Sequence, residues 1–165
     1  MIINETAGTI KQFDTANRTI DFLEIEWYEA SKRIQRKKTK SGQEIAIKFL
    51  KEGQRLKQDD VLYADDFKLI VADIIPCDAI VVKPKSLLEM GSVCYEIGNK
   101  HLPMFIQDDE VLLPFEDPIF KWLSASGYDT EKIFTRLTNI VNSTVQPHGH
   151  SESSSLFFKI MNIAK

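Results

Sequence analysis

The three histidines of this chain fall in two places, His101 within CYEIGNKHLPM (residues 94–104) and His148 with His150 in PHGH. Imidazole ligates nickel, zinc and copper, so both places could handle a metal ion. A His-x-His pair spaced by glycine can bring two rings to one ion, and it can equally be two solvated residues of a polar segment; both readings stand. For His101 the alternatives are a ligand and a helix-terminal cation favoured by the macrodipole, the latter worth about 0.3–1 kcal/mol when charged. One imidazole cannot satisfy a transition metal, which takes roughly four or more donors. A site built on His101 therefore needs a second copy of the chain across a two-fold axis, with His148 or His150 adding to it. Such a site suits carrying and releasing an ion better than catalysis with it.

Other chemistry is thinly signalled. No P-loop, GxGxxG, HExxH or GxSxG pattern occurs, and no Ser/Cys/His nucleophile arrangement is readable, so the chain is not expected to be an enzyme. A hydrolase or isomerase built on His101 would lack an orienting carboxylate. Asp59-Asp60, Asp65-Asp66 and Asp108 to Glu110 sit where turns need them, and neighbours on a strand point to opposite faces, which makes poor acid/base pairs. The two cysteines, Cys77 and Cys94, form no CxxC pair and signal neither disulfide nor metal cage. Cys94 reads as a buried, inert thiol. The run SKRIQRKKTK (residues 31–40) holds Lys32, Arg33, Arg36, Lys37, Lys38 and Lys40. Aromatic residues are not interleaved with it, and Glu24, Glu26 and Glu29 of the neighbouring EIEWYE could pair with it across a sheet. A solvated strand or an acidic protein partner is favoured over nucleic acid, as is a formal charge of −3 for the whole chain.

The elements that must position these residues divide the chain. At 165 residues, 43% of them hydrophobic, it can bury a core. Residues 1–75 alternate apolar and polar in short runs, GTIKQF, TIDFLEIEW, RIQRKKT, EIAIKFL, VLYA and KLIVADI, with turn signals between them, which predicts a small all-β domain. From Pro76 the character changes. A short strand, Ala79 to Val82, precedes Ser86 as N-cap of a helix carrying Leu87, Met90, Cys94, Ile97 and His101 on one face. Pro103 ends that helix at Leu102, placing His101 in its last turn. LPMFIQ and EVLLPF form a hairpin through Asp108-Asp109, Asp117-Pro118 opens a second helix that stops at Gly127, and KIFTRLTNIV is the last strand. The predicted fold class is α+β: an N-terminal β domain, a ferredoxin-like βαββαβ domain over 76–142, and a flexible, serine-rich tail over 143–165 whose end, LFFKIMNIAK, is apolar enough to dock on something. The N-terminus lacks the marks of a secretory signal and no apolar run is long enough to span a membrane, so a soluble cytoplasmic protein is expected.

The segment LLEMGSVCYEIGNKHLP resembles the helix of the urease accessory protein UreE family, whose hallmark is an EIGN(R/K)H or LGNRHLP ending with the metal-binding histidine. RIQRKKTKSGQEIAIKF followed by LKQDDVLYADD is similar to that family's RxRxxTxxGxxIxIxL … LxxGDVLY pattern, in the family's order and at the right distance. The resemblance covers residues 1 to about 150. It implies a homodimeric metallochaperone that binds nickel and delivers it for assembly of the urease active site, together with the GTPase of the maturation machinery and the urease apoprotein complex, with no nucleic acid or membrane partner. The family's interface histidine matches His101, and its supplementary tail histidines match His148 and His150. Many members end in a long histidine-rich tail, whereas this one has two histidines and runs on into SESSSLFFKIMNIAK. Phe105, Gln107 and Asp108 stand where some members carry strand histidines. One ion, or very few, per dimer is the expectation, with zinc or copper able to substitute in vitro because imidazole alone does not select nickel. The competing reading is a metal-independent interaction module in which the histidines are incidental.

Overall fold

The computed structural model describes residues 1–51 and 53–141 and divides the chain into two compact units meeting at Ile75 and Pro76. Residues 142–155, read as a mobile tail, and the apolar stretch 156–165 lie outside the described residues.

The N-terminal unit contains β1 (Ile2–Ile3), β2 (Gly8–Thr9), a 3-10 turn (Ile10–Gln12), β3 (Thr19–Ile25), β4 (Ile34–Lys38), β5 (Glu44–Lys48), β6 (Asp60–Ala64) and β7 (Lys68–Ile74). They form a three-stranded sheet in the order β1-β5-β4 and a four-stranded sheet in the order β2-β6-β7-β3. Period-two alternation buries both faces of the larger sheet. Ile20 and Phe22 pack with Leu69, Val71 and Val61 on one side, while Leu23, Ile25, Ile70, Ala72 and Ile74 are buried at the intervening positions. A buried carboxylate joins the two sheets. Asp21 accepts hydrogen bonds from the Ser41 N–H and hydroxyl and from Lys68 Nζ at 3.0 Å, so the β4–β5 hairpin loop is tied to β3 and β7. Burial pushes the Asp21 carboxyl up, but the bonds from Ser41, Thr39 and Lys68 overrule it and hold it far below the usual carboxylate range.

Two expectations for this unit change. GTIKQF is a strand only as far as Thr9, because Gln12 Oε1 accepts the Thr9 N–H at 2.8 Å and curls the chain into the 3-10 turn. The basic strand β4 pairs with β5 and not with β3. Glu24 and Glu29 nevertheless meet the basic run: Lys40, in the loop after β4, reaches Glu24 at 2.7 Å, and Lys37 of β4 pairs with Glu29.

The C-terminal unit runs β8 (Cys77–Val82), α1 (Leu87–Asn99), β9 (Phe105–Gln107), β10 (Glu110–Pro114), α2 (Asp117–Ala125) and β11 (Thr130–Thr135). Its sheet has the order β11-β8-β10-β9 with every neighbour antiparallel, which is the ferredoxin-like arrangement. The hairpin between β9 and β10 turns through Asp108 (φ 50°) and Asp109 (φ 61°), the paired left-handed residues of a tight turn matched to strand twist. Both helices lie on one side, where Val93 and Ile97 of α1 and Ile119 and Leu123 of α2 close over Ile80, Val82, Val111 and Leu113. KIFTRLTNIV is not a single strand. β11 leaves β8 after Thr135, and residues 139–141 pair instead with the far edge of the sheet, where Ile106 N–H donates to Asn139 O and Val141 N–H to Met104 O. No helix among the described residues is long and apolar enough to cross a membrane.

Candidate metal-handling site

The helix that carries His101 is fixed at both ends. Ser86 Oγ accepts the Glu89 N–H at 3.1 Å, and Glu89 Oε2 reaches back to the Lys85 N–H at 2.7 Å, so two otherwise orphaned donors are satisfied. Val93 and Ile97 are fully buried, with Met90 and Cys94 packed beside them. At the other end the helix stops at Asn99, with Lys100 as C-cap. The His101 N–H donates to Gly98 O at 3.0 Å and the Leu102 N–H to Ile97 O at 3.4 Å. These are the two bonds of a Schellman ending, and Leu102 packs on the same core as Ile97, its usual companion contact.

This places His101 differently from the sequence expectation. It is not in the last helical turn and does not continue the buried stripe. It occupies the left-handed position just beyond the helix, with φ 53°, and its side chain is exposed. Pro103 restricts only Leu102; the chain leaves the helix earlier because the left-handed step at His101 returns Leu102 to the core. Leu87 also falls outside the stripe, at 89% exposure, and Val93 takes the deep position that the spacing had given to others.

The outward face of α1 was not picked out by sequence reasoning. Leu88 and Tyr95 are exposed like Leu87, and a Cβ added at Gly91 or Gly98 would meet nothing within 4 Å. A glycine inside a helix is less favourable than alanine by about 0.5–1 kcal/mol, and nothing in the described chain approaches closely enough to use the space. The signal was present in the sequence as Leu88, Gly91 and Tyr95, positions that lie off the apolar stripe, whereas Leu87 counts toward that stripe by spacing.

Other donors near the helix are committed elsewhere. Burial pushes the Cys94 thiol up, and its Sγ lies 3.8 Å from Met90 Sδ, so it is a packed thiol and not a ready thiolate. Glu96 accepts from the Tyr128 hydroxyl at 3.1 Å. Among the described residues no group of three or more His, Cys, Asp or Glu could hold a metal ion. The donor set there is one exposed imidazole, which suits nickel, zinc or copper only when further donors join it. His148 and His150 lie outside the described residues.

Comparison with known proteins bears on the whole chain. The family model for the N-terminal domain of the UreE urease accessory protein matches residues 3–74, and that for its C-terminal domain matches residues 78–154. The chain belongs to the UreE family. It is 83% identical over 165 residues, the full length of both chains, to the urease accessory protein UreE of Flavobacterium johnsoniae. It is 47% identical over 134 residues to that of Actinobacillus pleuropneumoniae, covering 81% of this chain and 71% of the relative. With that of Helicobacter pylori the identity is 31% over 153 residues, 90% of this chain and 89% of the other. The part matched to the UreE C-terminal domain contains α1 and His101 and extends over His148 and His150.

Proposed function

We propose that the chain is a non-catalytic metallochaperone of urease maturation, acting in the cytoplasm as a homodimer that binds nickel through His101 and delivers it for active-site assembly. The observation that carries the reading is the residue at the end of α1. A left-handed C-terminal turn is most easily made by glycine, yet here it holds an exposed imidazole, and a residue kept where its backbone is disfavoured points to a role for its side chain. Family membership supplies the context of urease, and so the cargo. Two copies facing each other through the exposed Leu87, Leu88, Gly91 and Tyr95 face would set two imidazoles close to one axis. His148 and His150 then complete or extend the donor set. Residues 1–75 would serve as the partner-binding domain and 76–142 as the metal-binding and dimerisation domain, with the maturation GTPase and the urease apoprotein complex as partners and no nucleic acid or membrane involved.

Proton competition for imidazole makes uptake and release sensitive to pH, and an exposed position leaves the cargo accessible for transfer. The test is calorimetric nickel titration of the intact chain, His101→Ala, and the His148→Ala/His150→Ala double variant, with sedimentation of each. His101→Ala should remove tight binding and leave the dimer intact, while the double variant should bind more weakly. Tight binding of one nickel per chain by a monomer would reject the reading.

A further inference from the structure

The outer face of the three-stranded sheet carries charge and apolar surface that nothing in the described chain uses. Register places Arg36, Ala46 and Ile2 in one row, with Ile34 opposite Lys48 and Lys38 opposite Glu44 on either side of it. The intervening residues Ile45 and Ile47 are buried, so this row faces outward. Ile34 is 74% exposed and Ile2 60%. A hollow of about 530 Å³ opens here, lined by Met1, Ile2, Arg36, Lys38, Glu44 and Ala46 among others. Lys38 is tied to Glu44 at 3.4 Å, but among the described residues no ion pair or side-chain hydrogen bond engages Arg36 or Lys48.

The backbone at this face is also unused. Phe49 N–H donates to Arg33 O and Thr39 N–H to Gln43 O, which fixes the alternation of the antiparallel ladder. Gln35 and Lys37 exchange bonds with β5, while the N–H and C=O groups of Ile34, Arg36 and Lys38 point away from it. β4 is the last strand of its sheet, and among the described residues no backbone bond takes up those groups. Lysines commonly blunt such an edge against pairing. The exposed Ile34 on this strand has the opposite effect.

We propose that the β4 edge receives an extended acidic segment of a protein partner, which adds a strand to the sheet. Its backbone would pair at Ile34, Arg36 and Lys38, and its carboxylates, on the alternate residues that share the outward face, would meet Arg36 and Lys48. This names the chemistry of the partner for the N-terminal unit and rests on reading that unit as partner-binding; it does not depend on nickel at His101.

The experiment uses the full-length protein, labelled with nitrogen-15, and a peptide of about ten residues alternating Glu and Val, long enough to span the strand. Binding should shift the amide signals of Ile34, Arg36 and Lys38 and slow their exchange, and should weaken as salt rises from about 0.05 to about 0.5 M. Arg36→Glu combined with Lys48→Glu should lower the affinity about tenfold. A peptide N-methylated at alternate residues should fail on the unaltered protein, which keeps the test valid if the double variant folds poorly. Protection at other residues of 1–75 would overturn this edge while leaving the unit's partner-binding role. No peptide binding, indifference to salt and charge reversal, or tighter binding of oligothymidine than of the peptide would overturn the proposal itself.

Discussion

The two helices of the C-terminal unit end in the same hydrogen-bond pattern but place different residues at the turn. After α2, Gly127 N–H donates to Ser124 O and Tyr128 N–H to Leu123 O, and Gly127 has φ 87°. After α1, His101 stands in Gly127's place, bonded to Gly98 O, with Leu102 bonded to Ile97 O. In both, the following residue, Tyr128 or Leu102, returns to the same core. The backbone task is therefore equal at the two ends. Glycine performs it with no steric penalty, whereas a residue with a Cβ is less favourable there by roughly 1 kcal/mol. The difference separates what the fold requires, a left-handed step, from what the fold does not require, an imidazole at that step.

Exchanging the residue at the α1 end tests this most directly. His101→Gly should lower nickel affinity by more than about a hundredfold, because the only imidazole among the described residues is removed. The same change should leave the unfolding free energy equal or raised by up to about 1 kcal/mol, since relief of the left-handed strain, about 1–2 kcal/mol, is offset by about 0.4–1 kcal/mol for the greater freedom of glycine in the unfolded chain. Chemical denaturation beside nickel titration reads both. Loss of stability together with loss of binding would make His101 a structural residue and remove the distinction between the two ends.

Acid separates the two effects in the intact protein. Imidazole ligates only when neutral, so nickel affinity should fall by about tenfold or more between about pH 7.5 and 5.5. The folded N-terminal unit has its own titrating support in Asp21, whose carboxyl is held well below its ordinary value. A depressed folded-state pKa gives stability that is present above the unfolded value, near 3.8, and is lost as pH falls below it. Nickel should therefore leave before the contribution of Asp21 to the N-terminal unit is lost, and Asp21→Asn should flatten the later, acidic loss of stability without altering nickel release. Circular dichroism and nickel titration across the same pH series check the order. Coincident loss of nickel and structure would count against ligation by imidazole.

Much of the fold was legible because its determinants are local. Alternation marked β3, β5, β6 and β7; Ser86 and Asp117-Pro118 marked helix starts; Asp108-Asp109 and Gly127 marked turns by residue type. The end of α1 was misplaced for a physical reason. Gly127 advertises a left-handed step, but a histidine does not, and Pro103 drew attention two residues too far along. Sheet partners were equally hidden, since β4 and β3 are close in sequence yet belong to different sheets, and only long-range register decides that. His101 was legible as a candidate ligand from residue type and from resemblance to the UreE family. That it stands outside the helix, exposed and in a glycine's conformation, required the structure.

The reciprocal change at the α2 end should produce a smaller effect of opposite kind. Gly127→His puts a Cβ at φ 87° and should destabilise the unit by about 1–2 kcal/mol, with nickel affinity at His101 unchanged while the protein is folded. Thermal unfolding and nickel titration together decide it. A gain of tight nickel binding at the new histidine would show that any exposed imidazole in such a turn suffices, and that nothing about the α1 end is special.

The smallest effect expected is at Cys94, and it tests whether the α1 end acts through its histidine alone. Cys94 lies on the same helix, seven residues before His101, and a thiolate would be a strong nickel ligand. Two observations argue that it does not serve as one. Burial pushes the thiol up, which keeps it protonated, and its sulfur is packed against Met90 in the core contacted by Ile97. Cys94→Ala should cost some packing, about 1 kcal/mol for a half-buried side chain, and leave nickel affinity within about twofold. The absorption of the nickel complex should likewise be unaltered, because a thiolate ligand would add an intense charge-transfer band and an imidazole set would not. Loss of such a band on substitution would put the cysteine in the coordination sphere. The contrast between the two helix ends would then lie in a pair of residues on α1, one buried and one exposed, and not in the turn residue by itself.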